Sequence, residues 1–515
     1  MRRIAHGSTS VLDFQTGTVV SLEEDAGENI SPPVPPKNTP FRYLFENLQD
    51  AAADALLPQA PGTLEHLASL GAQMCDKQQA AKFNSTIPSA YTYFGQFVDH
   101  DISQTVIPKA DENTTDSCEL DKANLAPWTA ESVVSLAKNE RSDVLELDCI
   151  YGGEVPRDGP YLSLAKVIPT NYPIKVADPY HDLIRKGRNS EDRSADRAAV
   201  IADRRNDSNL IVSQLHVAFL RAHNRIVEKE HCTFEEAQTL LRQHYHWVVI
   251  HDFLEKRIAD PDVFKSVISD PHPRYNPTAD YVYLPLEFTV AAYRFGHSMI
   301  RNTYYLNTNY PGVFLLDLFV LCVLSDGPVP TPGKGYDQIP DKRIVDWNFF
   351  LTGDKKGLNL NFARKIRTQI ADPLFTLLDE KDEEVPCEKR LAVQDLKRGY
   401  MLRMPTGQAV AKELGYDPLT PAQIWENAGE NQRETLQKAG FLERTPLWFY
   451  VLVEATAQAG GNRLGKVGSR IVAEVLIGLV RKSPDSFLKI PGYSPRYAEY
   501  GAFDLPDLLK LAGVL

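Results

Sequence analysis

The residues best suited to chemistry lie in Tyr91-Thr-Tyr-Phe-Gly-Gln-Phe-Val-Asp-His-Asp-Ile-Ser-Gln-Thr105. Gln96 and His100 stand four apart, so on a helix they share a face. Asp99 and Asp101 lie about 100° to either side of His100 and point to different flanks. Phe94, Phe97, Val98 and Ile102 supply apolar cover. Buried charge is costly unless it is paired or bound to metal, so a histidine between two carboxylates on an apolar helix points to one of those arrangements. A solvated Asp-His-Asp turn at a helix surface is the alternative.

Three further stretches carry candidate groups. In Ser142-Asp-Val-Leu-Glu-Leu-Asp148, Ser142, Glu146 and Asp148 offer oxygens at short spacing, with the Val144 carbonyl between them. A hard cation such as calcium is held by several oxygens of this kind, although acidic turns are common. In Leu286-Glu-Phe-Thr-Val-Ala-Ala-Tyr-Arg-Phe-Gly-His-Ser-Met-Ile300, Arg294 and His297 are three apart and share a face. Gly296 removes a side chain beside the histidine, which lets something flat approach the backbone. His244 and His246 form a His-x-His pair, but residues two apart on a helix do not share a face, so these read as core histidines.

The elements that must position these groups are helical. Periodic apolar stretches begin near residue 41, and Asp203-Arg-Arg-Asn-Asp-Ser-Asn209 caps a helix from Leu210 to about Glu230, a boundary set by its polar start. A second runs from Phe234 to about Ile258, and the C-terminal third is helical. Strand patterns are scarce. Residues 1–40 are polar and end in Ser31-Pro-Pro-Val-Pro-Pro36, which reads as an extended arm ahead of one large domain over 41–515. With 56 Lys and Arg against 68 Asp and Glu, the net charge of -12 argues against nucleic acid, whose phosphates call for clustered cations. No apolar run reaches the roughly 18 residues of a membrane span. No secretory signal is visible, so a cytoplasmic location is expected. Six cysteines without a CxxC pair suggest free thiols rather than a zinc site or a disulfide framework.

Together these segments resemble the animal-type haem peroxidases of the peroxidase–cyclooxygenase superfamily, and look most like its bacterial members. The likeness is carried by Gly95-Gln-Phe-Val-Asp-His-Asp101, Leu147-Asp-Cys-Ile-Tyr-Gly152, Arg205 with His216 to Arg225, Arg294-Phe-Gly-His297, Pro405-Thr-Gly-Gln-Ala-Val-Ala411 and Thr445-Pro-Leu-Trp, in that order. The resemblance implies a mainly α fold, a single large helical domain around a haem with little sheet. It implies His100 as distal histidine, Gln96 as distal glutamine, Arg205 as distal arginine and His297 as the iron ligand. Arg294 and Arg398 match propionate-binding arginines. Asp101, Ser142, the Val144 carbonyl, Glu146 and Asp148 match the family's calcium loop, with Glu146 where a shorter aspartate is usual. The implied activity is a peroxidase that uses hydrogen peroxide to oxidise a small organic donor or a halide through a ferryl intermediate. A haem dioxygenase or peroxygenase acting on a lipid or a biosynthetic intermediate is the alternative.

Three departures from the family pattern shape the expectations. Asp99 matches one haem-esterifying carboxylate, but Ser208 stands where the second would be, so the resemblance implies haem b or a singly ester-linked haem. Asp395 stands where the family has asparagine near the proximal histidine. Arg294 occupies the place of the radical-forming tyrosine of cyclooxygenase-type members, with Tyr293 one position off.

Overall fold

The helices that carry the candidate groups begin and end where capping residues stop the backbone ladder. In the computed structural model, residues 39–515 are described apart from 50–54, 61, 78–79, 107–126, 142–143, 154, 172–177, 193, 278–281, 326–330, 332, 353–359, 376–389 and 499–501. Before them, three short strands (Arg2–Ile4, Ser10–Asp13 and Thr18–Ser21) pair antiparallel in sequence order. The proline-rich run at 31–36 lies outside the described residues.

Six helices matter most for the site. Helix α1 (Ala90–Ile102) buries Phe94, Phe97, Val98 and Ile102 completely. Each such side chain contributes about 1.5–3 kcal/mol of burial free energy. Helix α2 (Leu210–Glu230) starts where the Asn209 side chain accepts from the Ile211 and Val212 amides. It ends at His231, in the left-handed conformation with φ 52°. Helix α3 (Phe234–Trp247) opens on a reciprocal Thr233–Glu236 capping box and widens into a π-helix over Val248–Ile258. Helices α4 (Leu391–Met401), α5 (Leu447–Ala459) and α6 (Lys466–Lys482) complete the set. Phe97 stacks on Phe219 at 4.4 Å, and Tyr245 meets both rings edge-on, which joins α1, α2 and α3 in one core.

The stretch expected as one regular helix over 286–300 is irregular. It is a π turn over Glu287–Ala291 followed by a 3-10 helix over Ala292–Met299. Two carbonyls there accept from side chains. Thr289 O accepts from Arg294 Nε at 3.1 Å, and Arg294 O accepts from the Trp448 indole at 3.2 Å. The buried Glu287 carboxylate turns away to accept from the Leu44 and Phe45 amides. The 3-10 segment packs against α1, α5 and α6, and the π turn against α4 and α5.

Sheet is confined to small patches. One has the strand order Leu284–Pro285, Thr39–Arg42, Lys138–Asn139, Thr105–Val106. Leu284 pairs in parallel with Phe41, while Thr39 and Thr105 both oppose Asn139 in antiparallel register. That patch joins the chain just after α1 to the chain just before Glu287, so it fixes the spacing of the two segments that carry His100 and His297. No described helix is long and apolar enough to cross a membrane.

Candidate active site

A cavity of about 550 Å³, part of it open to solvent, separates α1 from the irregular 287–299 segment. Gln96 and Asp99 line it from one side, and Tyr293, Arg294, Gly296 and His297 from the other. A Cβ built on Gly296 would meet nothing within 4 Å, so the backbone beside His297 faces open space.

On the α1 side, the carboxylates flanking His100 do point to different flanks. Asp99 faces the cavity, and its Oδ1 accepts from the Ser103 hydroxyl at 2.7 Å. Asp101 is fully buried and accepts from the Leu147 and Cys149 amides at 3.2 and 3.4 Å. Burial, and then the neighbouring Asp148, push its carboxyl up to about 7. His100 is buried behind the cavity lining. Its Nδ1 lies 2.8 Å from Asn206 Oδ1. Burial, then the Arg205 guanidinium, push its imidazole down to about 4.

Arg205 stands on a 3-10 turn, Arg204–Asp207, that leads into α2. It donates from Nε and Nη2 to Asp203 and from Nη2 to the His100 carbonyl at 3.1 Å. Its buried Nη1 has no hydrogen-bond partner among the described residues. Burial opposes ionisation of Asp203, yet Arg141 and Arg205 hold it well below the usual carboxylate range. Neither His100 nor Arg205 is among the residues lining the cavity.

The opposite side is built around a carboxylate. Asp395, on α4, accepts from His297 Nδ1 and from Arg294 Nη1, each at 2.8 Å. In a 3-10 helix residues three apart eclipse, which is why Arg294 and His297 reach the same carboxylate. Burial opposes its ionisation, but Arg294 and His297 keep Asp395 below the ordinary carboxylate range. Arg398, one turn along α4, forms no ion pair among the described residues. Burial and the nearby Arg294 push its guanidinium down to about 10. Arg294 and Arg398 thus stand with a single carboxylate between them.

These features fit a haem. The cavity reaches His297, whose Nδ1 is committed to Asp395, which makes Nε2 the ring atom for iron. Gly296 leaves room for a flat group, and Arg294 brings a cation to the cavity wall; the buried Arg398 is not among the lining residues.

The expected cation loop comes together only in part. Asp101 and the turn at Leu147–Cys149 meet, but the Val144 carbonyl accepts from the Glu146 amide at 2.8 Å. Asp148 approaches Arg141 at 3.7 Å. Ser142 lies outside the described residues, and among those described no three His, Cys, Asp or Glu side chains form a metal-binding group. The core histidines bond to backbone: His244 Nε2 contacts the Arg496 carbonyl at 2.8 Å and His246 Nε2 the Leu145 carbonyl at 2.5 Å.

Two residues in this environment went unread in the sequence, Asp203 and Asn206. Both lie in the polar run ahead of α2, which reads as capping. Five consecutive polar or charged residues, Asp203–Asp207, are more than one helix cap needs, and that surplus was the available signal.

Residues 174–316 match the family model for the animal haem peroxidases, a span that includes Arg205 and His297. A "Peroxidase-like protein" of Margaritifera margaritifera is 24% identical over 305 residues, which is 51% of this chain and 38% of that protein. The chain therefore matches well under half the length of that relative. Among solved structures, peroxidase A of Dictyostelium discoideum superposes with a TM-score of 0.55 at 14% identity, covering 87% of this chain and 88% of the other. A fatty acid alpha-dioxygenase of Arabidopsis thaliana superposes with a TM-score of 0.50 at 13% identity, covering 84% and 71%. Residues 174–316 thus carry an animal haem peroxidase match, and the solved structures agree with the mainly helical architecture.

Proposed function

We propose that the protein is a hydrogen-peroxide-dependent haem peroxidase that oxidises a small organic donor or a halide. The observation that carries this reading is a cavity that reaches a carboxylate-bonded histidine, His297, with a buried neutral histidine, His100, and Arg205 against its carbonyl behind the facing helix. Haem held by His297, Arg294 and Arg398 would supply an iron able to carry the oxidising equivalents that peroxide delivers. The protein's part is positioning and proton transfer. His100, neutral at working pH, would take a proton from peroxide and return it to the departing oxygen. Arg205 brings a fixed positive charge whose Nη1 still lacks a partner, which suits charge developing as the O–O bond lengthens. Gln96, on the cavity wall, would orient the peroxide.

Asp99 faces the cavity and Ser208 offers no carboxylate to esterify, so at most one covalent link is proposed, through Asp99. Calcium at Asp101, Ser142, Val144, Glu146 and Asp148 is proposed on the family pattern. Repulsion between Asp101 and Asp148 is the feature that a cation would relieve.

The test is the ultraviolet–visible spectrum of the purified protein, followed by a peroxide titration with a phenol and with bromide. A haem spectrum and peroxide-dependent oxidation support the reading; failure to take up haemin overturns it. The likeness to a fatty acid alpha-dioxygenase supports the second reading, a lipid dioxygenase. Incorporation of label from ¹⁸O₂ into a fatty acid without added peroxide would favour it. Arg294 at the position three before His297, and the Tyr293 hydroxyl donating to the Gly95 carbonyl at 3.2 Å, favour the peroxidase.

A further inference from the structure

Asn206 sits between two buried histidines. It is wholly buried on the turn ahead of α2. Its Oδ1 lies 2.8 Å from His100 Nδ1, and its Nδ2 lies 3.1 Å from His216 Nδ1. An amide oxygen can only accept and an amide nitrogen can only donate. In this arrangement His100 must therefore carry its proton on Nδ1, and His216 must present a lone pair there. His216, on α2, is itself buried, and among the described residues its Nε2 has no hydrogen-bond partner, so Asn206 is its polar anchor. The backbone holds the turn in place: Asn206 N donates to Asp203 O at 3.0 Å, and Asp203 in turn grips Arg205.

We infer that Asn206 is a positioning residue that locks His100 in the Nδ1–H tautomer, keeping Nε2 as the proton acceptor, with His216 as the amide's second buried partner. The role in turnover rests on the peroxidase reading; the tautomer lock does not. When peroxide gives its proton to Nε2, both ring nitrogens carry hydrogen, and the positive charge is met by the Asn206 oxygen already in contact. When the proton leaves for the departing oxygen, the ring returns to the same tautomer rather than flipping. With the amide removed, His100 could rest with the proton on Nε2, where it cannot act as a base.

Two measurements on the haem-loaded protein separate the inference from the activity. The first is nitrogen NMR of the ¹⁵N-histidine-labelled protein in its diamagnetic ferrous carbonyl form. The expected result is a protonated Nδ1 and an unprotonated Nε2 on His100, and a reversal of that pattern in Asn206→Leu. A proton on Nε2 in the unsubstituted protein overturns the inference, whether or not peroxide is consumed. The second is the association rate of hydrogen cyanide, which must shed a proton to bind as the anion. Asn206→Leu should slow it at least about tenfold, a fraction of the ~10²–10⁴ a positioned base contributes. Asn206→Asp, which keeps an acceptor toward Nδ1, should restore most of the rate with an unchanged haem spectrum. Equal rates in all three proteins overturn the inference and leave the peroxidase reading intact; a protein that shows the tautomer but consumes no peroxide does the reverse.

Discussion

Two buried histidines each bond through Nδ1, at 2.8 Å, to one side chain, and the partners differ in a single functional group. His100 meets the amide of Asn206, and His297 meets the carboxylate of Asp395. A neutral acceptor orients the ring and raises its basicity, but burial and then the Arg205 charge outweigh it and keep His100 neutral down to about pH 4. An ionised acceptor pushes electron density into the ring, which suits a metal ligand. The charges around the two sites follow the same division. Asp203 neutralises Arg205 on one side, while on the other Asp395 faces two guanidiniums, Arg294 and Arg398. Identical side chains thus acquire different chemistry from the residue one hydrogen bond away.

Substitutions that erase or exchange these partners test the comparison. The largest effect should come from His100→Ala, which removes the base outright. The second-order rate with peroxide, followed by stopped flow, should fall by about 10²–10⁴ while haem is retained. A rate within a few-fold of the original would place the proton acceptor elsewhere. Arg205→Ala should come next, with a loss of about 10²–10³ if it stabilises developing charge, measured the same way.

Asp395→Asn makes the His297 side resemble the His100 side. The haem reduction potential, read by spectroelectrochemistry, should rise because the ligand becomes less basic. An unchanged potential would show that the carboxylate only orients the ring. The converse exchange, Asn206→Asp, should raise the pKa of His100. In the unsubstituted protein the imidazole is the proton acceptor only when neutral, so the peroxide rate should be level at neutral pH and fall as pH drops through about 4. In Asn206→Asp that acid limb should move to higher pH; a limb that stays put would separate the amide from the titration.

The smallest effects belong to residues near the cavity that carry no proton for the reaction. Tyr293 donates to a main-chain carbonyl, which cannot accept its proton, so Tyr293→Phe should leave peroxidase turnover within about threefold. Glu287 lies in the π turn that starts the His297 segment, and burial raises it from an ordinary 4.5 to about 7. The folded state therefore binds this proton more tightly than the unfolded chain. Its favourable contribution is present below pH 4.5 and is lost as pH rises through 7. Glu287→Gln should consequently gain urea resistance relative to the unsubstituted protein between pH 5 and 8. A constant difference across that range would assign Glu287 no role in the pH dependence.

Much of this arrangement is legible in one dimension because helical periodicity is a local property. The positions of Gln96, Asp99, His100 and Asp101 around α1 follow from residue spacing alone, and the boundary at Asn209 follows from capping chemistry. The family motifs place Asp395 in the register that brings it to His297, nearly a hundred residues earlier in the chain. Other features were hidden. Nothing local predicts that the 287–299 segment abandons the α-helical ladder, because the cause is the Trp448 indole and the Leu44 and Phe45 amides, all distant in sequence. Asp203 does cap the turn by accepting from the Arg205 amide, but its pairing with Arg141, like that of Asn206 with His100, reaches more than sixty positions upstream.

What the sequence determined by itself is the helical class, the ordered motifs and the two histidines, since residue type and spacing act over a turn or two of backbone. Tertiary structure alone decided which protonation form each histidine takes, because that choice depends on a single hydrogen bond from another segment in a place water cannot reach. An amide opposite one ring and a carboxylate opposite the other are set by packing, and no local pattern encodes that pairing.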